Sequence, residues 1–156
     1  MNILEYGNNK TKCQHFTPDD IAMSMLDLAD YRDNLIGKAV LENSFGSGNI
    51  LKAIVKRYIE YALSQNISPK AIAKNLENDI YGIELDEVLF ENCICDLNAI
   101  LASYGIPYVK WQLFNDNSLS HTYGKKFDVI IGNPPYISYK ELDKVSRLFI
   151  KEHFDV

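Results

Sequence analysis

"KAVLENSFGSGNIL", residues 38–51, passes from an apolar run through two glycines into apolar positions of a different period. Residues 38–43 read as a short strand and 44–48 as a tight loop. Beyond the loop, Ile50, Leu51, Ile54, Val55, Tyr58, Ile59 and Ala62 recur at helical spacing, which predicts a helix with one buried face. A bare Gly-x-Gly is often only a turn. Between a strand and a helix it gains weight, because residues without a Cβ let the backbone turn tightly and approach a ligand.

The alternation continues on both sides. Upstream, "FTPDDIAMSMLDLAD" (16–30) reads as a helix with Thr17 at the N-cap and Pro18 in the first turn. Asp19 and Asp20 face the positive end of its dipole, and Ile21, Met25, Leu26 and Ala29 are its expected buried face. Downstream, Ser68 and Pro69 start a short helix, and residues 79–85 form a second strand. Residues 86–105 form a long helix with Leu89, Cys93, Leu97, Ile100, Leu101 and Tyr104 on its stripe and Gly105 as its stop. Residues 108–114 and 127–132 are the third and fourth strands, the latter buried through Val129-Ile130-Ile131, and 139–154 can form a last helix. This pattern implies an α/β fold, a parallel sheet with helices on both faces. Right-handed crossovers bring every strand's C-terminal end to one edge, where ligands bind.

Composition narrows the function. The chain's 156 residues suit one domain, expected to span 1–156. A formal charge of −5 argues against a surface built to grip nucleic-acid phosphates, though not against a site that receives one base. Cys13, Cys93 and Cys95 form no disulfide ladder, and His15, His121 and His153 no ligand pattern, so no metal is expected. The start "MNILEYGNNK" is too polar for a signal peptide, and no apolar run would cross a membrane, so a cytoplasmic protein is expected.

The expected strand ends carry acids. Glu42 precedes Ser44, Phe45, Gly46 and Gly48 in the first loop. Glu84 ends the second strand, where a carboxylate can accept both hydroxyls of a ribose or merely enter a helix with Asp86. Asp116 follows the third strand and can bond an adenine amino group, although Asn115-Asp116-Asn117 alone reads more readily as a turn. No Lys or Arg joins these acids, and the G-x-x-x-x-G-K-[ST] phosphate loop is absent. A nucleoside with a cationic tail fits better than a nucleotide, and S-adenosylmethionine is such a ligand.

The fourth strand ends in Asn133-Pro134-Pro135-Tyr136. Prolines cannot donate to a ladder, so carbonyls here stay available. Methyl transfer to an exocyclic amine needs a lone pair aligned with the S–CH3 bond. The Asn133 side-chain oxygen and the Pro134 carbonyl can accept the amine's two N–H bonds, opposing delocalisation into the ring. Pro135 stiffens the turn, and Tyr136 offers a face for an extruded base.

Together "HFTP", "LENSFGSGN", "YGIELD", "NDNS" and "FDVIIGNPPYI" resemble the amino-methylating DNA methyltransferases of restriction–modification systems. More narrowly they resemble the adenine-N6 enzymes in which cofactor motifs precede N-P-P-Y. The likeness covers residues 14–149 and implies a Rossmann-like S-adenosylmethionine-dependent fold. It implies that Phe16, Thr17, Glu42 and the Ser44–Gly48 loop hold the methionine end of the cofactor, Glu84 the ribose and Asp116 the adenine. Asn133 to Tyr136 would hold the target adenine of DNA. The residue after Asp116 is often apolar in such enzymes and is Asn117 here. Those enzymes also continue with three more strands and usually a DNA-recognition region. Residues 1–156 are therefore expected to be a catalytic domain truncated before its last strands, inactive alone, with a second copy or partner subunit covering its open sheet edge. N-P-P-Y also occurs in enzymes that methylate protein glutamine, and related motifs in RNA guanine-N2 enzymes, so those substrates are the alternatives.

Overall fold

The computed structural model describes residues 17–136, 140, 142 and 144–153. They fall into two units divided after Pro134. The first, residues 17–134, holds α1 (Asp19–Leu28), β1 (Val40–Glu42), α2 (Asn49–Ser64), α3 (Pro69–Asp79), β2 (Ile80–Glu84), α4 (Glu87–Ser103), β3 (Gln112–Asn115) and β4 (Val129–Ile130). The second, from Pro135, holds α5 (Lys144–His153), in which the rings of Phe149 and His153 stack 4.2 Å apart.

The four strands lie in the order β3-β2-β1-β4, all parallel. Val40 and Leu41 pair with Ile80 and Tyr81 on one side and with Val129 and Ile130 on the other. The chain thus builds outward from β1 through β2 to β3, then returns to β1's other side. That reversal, between β1 and β4, is the switch point at which open α/β sheets form a crevice beyond the strand ends.

The core forms because α2 presents one apolar face. Its seven residues at helical spacing, Ile50 to Ala62, are all buried, with Leu51, Ile54 and Tyr58 fully so. Replacing one, as in Leu51→Ala, should cost about 2–5 kcal/mol through lost transfer energy and a cavity. Ser68 caps α3 by accepting from the Ala71 N–H, with Pro69 next. Gly105, at φ +65°, ends the turn after α4, as a residue without a Cβ can. Directly before β2, Asp79 Oδ2 accepts from Gly37 N (2.8 Å) and Tyr58 Oη (2.5 Å), tying the end of α3 to α2 and to the loop before β1.

Several expectations are corrected. Thr17 is not the N-cap of α1: extended Pro18 holds that position without a side-chain cap, and the Thr17 hydroxyl bonds elsewhere. Ala22 and Leu26 are the buried residues of α1, with Met25 and Ala29 packed partly against the core, while Ile21 is 48% exposed. The helix is rotated so that Ala22 meets the core. Residues 108–111 lie outside β3, which gains Asn115 instead, because only 112–115 have partners on β2. β4 is two residues long and Ile130 is 65% exposed, because among the described residues it pairs only with β1. The first residues of the expected last helix lie partly outside the described residues, as do Cys13, His15 and Phe16.

Candidate active site

The site grows from the C-terminal tips of the strands. β1 is central and buried along its length, as strands paired on both sides are, yet its last residue is Glu42, only 2% exposed. Burial pushes its carboxyl up to about 8, with the nearby Glu84 charge adding and a backbone hydrogen bond at Leu51 opposing. Among the described residues its Oε2 has no hydrogen-bond partner, and neither has the buried Oγ of Ser44 two residues on. Buried polar atoms are nearly always satisfied, so two orphaned oxygens in one strand–loop junction are informative.

The loop between β1 and α2 is set by its own backbone. Phe45 N donates to Ile83 O at 3.1 Å, and Gly48 N to Phe45 O at 2.7 Å. Gly46 and Gly48 adopt φ +54° and +75°, where residues with a Cβ are strained. Their surroundings differ. A Cβ on Gly46 would meet nothing within 4 Å, whereas one on Gly48 would overlap Cys93 Sγ on α4. Gly46 thus borders open space while Gly48 permits helix packing. Phe45 belongs to the core: 4% exposed, it packs on Gly82 and lies 6.1 Å from the Phe90 ring.

Glu84 joins this loop to the next strand. Its Oε2 accepts from Gly46 N (2.7 Å) and its Oε1 from Asp86 N (2.8 Å). Asp86 in turn caps α4 by accepting from Val88 N and Leu89 N. Both Glu84 oxygens thus accept backbone N–H bonds, which fixes the plane of the carboxylate at the tip of β2. Beside it, Asp116 N donates to Glu84 O at 3.1 Å, so the acids of β2 and β3 sit at neighbouring tips. Asp116 Oδ1 accepts from Asn117 N and Oδ2 from His121 Nδ1, both at 2.7 Å. These bonds, His121 first, hold its carboxyl below the usual carboxylate range.

At the switch point the loop after β4 lies against β1: a Cβ on Gly132 would press on Asn43 Oδ1 at 3.1 Å. Asn133 Nδ2 donates to Thr17 Oγ1 at 3.2 Å, and Thr17 O accepts from Asn49 Nδ2 at 2.8 Å. Thr17 therefore links the first turn of α2 to the amide after β4. With its nitrogen committed, Asn133 keeps its oxygen as an acceptor. Pro134, Pro135 and Tyr136 are exposed, Tyr136 at 72%. The division between units falls between the two prolines.

Glu42, Ser44, Gly46, Glu84, Asp116, Thr17 and Asn133 thus all lie at the C-terminal tips or on the segments bonded to them. Phe16 lies outside the described residues. Among the described residues no group of His, Cys, Asp and Glu could hold a metal ion. The acceptors at these tips suit a nucleoside with a cationic tail: the fixed carboxylate of Glu84, an ionised acceptor on Asp116, and a buried Glu42 carboxyl with one oxygen unpartnered. Sequence reasoning missed His121, Asn43 and Asn49. The Asn117 turn that returns the chain to Asp116 was the available signal for His121.

The family model for N-6 DNA methylases matches residues 2–151. The chain is 31% identical over 137 residues to the type II methyltransferase M.BstVI of Geobacillus stearothermophilus, covering 78% of this chain and 24% of that protein. It is 29% identical over 136 residues to the modification methylase CviBIII of Paramecium bursaria Chlorella virus NC1A, covering 85% and 29%. Among solved structures, it resembles a modification subunit of a putative type I restriction enzyme from Vibrio vulnificus YJ016, with TM-score 0.54, 19% identity, and coverage of 89% and 30%. The chain spans about a quarter of the length of the curated relatives it matches.

Proposed function

The chain belongs to the N-6 DNA methylase family, and on that premise we propose that it is the cofactor-binding and amine-holding part of an S-adenosylmethionine-dependent DNA methyltransferase acting on the N6 amine of adenine. The observation that carries this reading is the pair of orphaned buried oxygens, Glu42 Oε2 and Ser44 Oγ, at the switch point beside the Asn133 loop. A buried carboxyl with one oxygen unpartnered is a receptor for a cation, and a methionine tail carries an ammonium and a sulfonium.

Glu42 and Ser44 would hold that tail, Glu84 the ribose diol and Asp116 the adenine amine. Gly46 leaves room for the ligand because nothing stands where its Cβ would be. When bound, the cofactor supplies an electrophilic methyl on a positively charged sulfur. Asn133 Oδ1 and the Pro134 carbonyl would accept the two N–H bonds of the target amine and turn its lone pair toward that methyl. Both acceptors would stabilise the positive charge that develops on the amine as the methyl passes from sulfur to nitrogen, the S–C bond breaking to leave a neutral thioether as the N–C bond forms, before a proton leaves to solvent. Tyr136 would stack the extruded base. The DNA itself, a partner subunit or second copy, and a cytoplasmic setting within a restriction–modification system belong to the same proposal. No helix among the described residues is long and apolar enough to cross a membrane.

Product analysis tests it. The protein carrying these residues is incubated with methyl-labelled S-adenosylmethionine and DNA, and the DNA is digested to nucleosides. Label in N6-methyladenine is expected, and its loss in Asn133→Ala. Label in cytosine, or in protein glutamine or RNA guanine with DNA left unlabelled, overturns the reading.

A further inference from the structure

The connection from β3 to β4 has no helix among the described residues. Aromatic rings run along it instead. The Phe114 ring lies 4.7 Å from His121, His121 5.0 Å from Tyr123, Tyr123 5.3 Å from Phe127, and Phe127 5.2 Å from Tyr81 on β2. His121 is held between Phe114 and Tyr123, and its side chain is 16% exposed. Asn117 makes the turn that brings it back. Its side-chain oxygen accepts from Leu119 N, and its carbonyl accepts from Ser120 N and His121 N.

The ring that this framework fixes reaches a site residue. His121 Nδ1 lies 2.7 Å from Asp116 Oδ2, and an ionised carboxylate only accepts, so Nδ1 carries the proton. Asn117 N–H holds the other oxygen at 2.7 Å. One bond to each oxygen sets the plane of a carboxylate whose side chain is 50% exposed and which could otherwise rotate. It also leaves a lone pair on each oxygen at the tip of β3, next to Glu84.

We propose that His121 is a positioning and specificity-determining residue, holding Asp116 so that the tip of β3 accepts a purine with an exocyclic amine and rejects a 6-oxo purine. This rests on the nucleoside-cofactor reading above. An amine donates to the fixed carboxylate. A 6-oxo group faces it with a second acceptor, and the pair repels. The apolar residue that such enzymes often place after the acid is replaced here by Asn117, whose turn returns a histidine ring to Asp116.

Calorimetric titration of the chain with S-adenosylhomocysteine and with S-inosylhomocysteine tests it. The wild type should prefer the adenosyl ligand by at least about tenfold. His121→Phe keeps the ring contacts but has no donor, and the preference should fall to about threefold or less. His121→Asn places an N–H near the Nδ1 position and should restore most of it. An unchanged preference in folded His121→Phe overturns the proposal. Should that variant fail to fold, 15N spectra of the wild-type imidazole decide. A protonated Nδ1 whose resonance shifts with the adenosyl ligand, but not with the inosyl ligand, supports it; an unprotonated Nδ1 overturns it. Equal wild-type affinity for both ligands keeps the cofactor reading and removes only this proposal. Binding of neither removes both.

Discussion

Asn133 gives its side-chain nitrogen to the Thr17 hydroxyl across 3.2 Å, joining residues 116 positions apart in sequence. The Thr17 carbonyl is itself held by Asn49 Nδ2 at the start of α2. The amide proposed to hold the target amine is therefore oriented by the segment that follows the glycine loop. Thr17→Val removes the acceptor and frees the amide to turn. Methyl transfer should fall about tenfold, with the Kd for cofactor changing much less, and Thr17→Ser should restore it. Asn133→Ala should cost on the order of a hundredfold in rate. Single-turnover kinetics beside equilibrium binding separate the two effects, and near-normal turnover in Asn133→Ala would sink the acceptor role.

Glu84 is a structural staple as well as a proposed ribose acceptor. Glu84→Gln exchanges one oxygen for an NH2 that must face either the Gly46 or the Asp86 N–H. Cofactor affinity should drop about tenfold or more, and amide exchange at Gly46 should quicken. Weakened binding with unchanged exchange at Gly46 would show that the staple is unimportant.

The two loop glycines should separate stability from binding. Gly48→Ala forces a Cβ into Cys93 Sγ at φ +75° and should lose about 2–4 kcal/mol. Cys93→Ala in the same chain should recover part of that loss, but not the dihedral strain. Gly46→Ala meets open space at φ +54°, so it should cost only about 1–2 kcal/mol. It should nonetheless weaken cofactor binding, because the methyl would stand on the ligand side of the loop. Denaturant unfolding and titration of both variants check this.

Much of this was readable from residue spacing. All seven apolar positions expected on α2 are buried, because a 3.6-residue period reports one face directly. The acids after the first three strands do line one sheet edge, because parallel strands share their C-terminal ends. Three things were hidden. Ile21 looked like a core residue of α1, but periodicity does not set helix rotation to within one position, and Ala22 took the place. Thr17 matched an N-cap, a local signal overridden by a partner far along the chain. His121 had no neighbour of its own type to form a pattern with, and its link to Asp116 depends on a turn and on the two rings packed against it, Phe114 and Tyr123.

Glu42 predicts a pH dependence of its own. Its carboxyl sits at about 8 in the folded chain, above an ordinary glutamate. Between the ordinary value and about 8, the unfolded chain has lost this proton and the folded chain has kept it. The folded state is therefore penalised progressively as pH rises through that window, by at most about 1.4 kcal/mol per pH unit. The stability difference between Glu42→Gln and wild type should grow from pH 5 to 8 and then level off. A difference that does not vary with pH would contradict a Glu42 carboxyl raised by burial.

The most direct test is calorimetry of S-adenosylmethionine and S-adenosylhomocysteine binding to the folded chain at pH 7, run in buffers of different ionisation enthalpy. A cation placed beside Glu42 favours its ionised form, so binding should release about one proton. Glu42→Gln should bind more weakly and release none. Saturable binding with proton release that disappears in Glu42→Gln is the predicted result. No binding of either ligand, or tighter binding of a nicotinamide dinucleotide, would contradict the assignment of the strand tips to this cofactor.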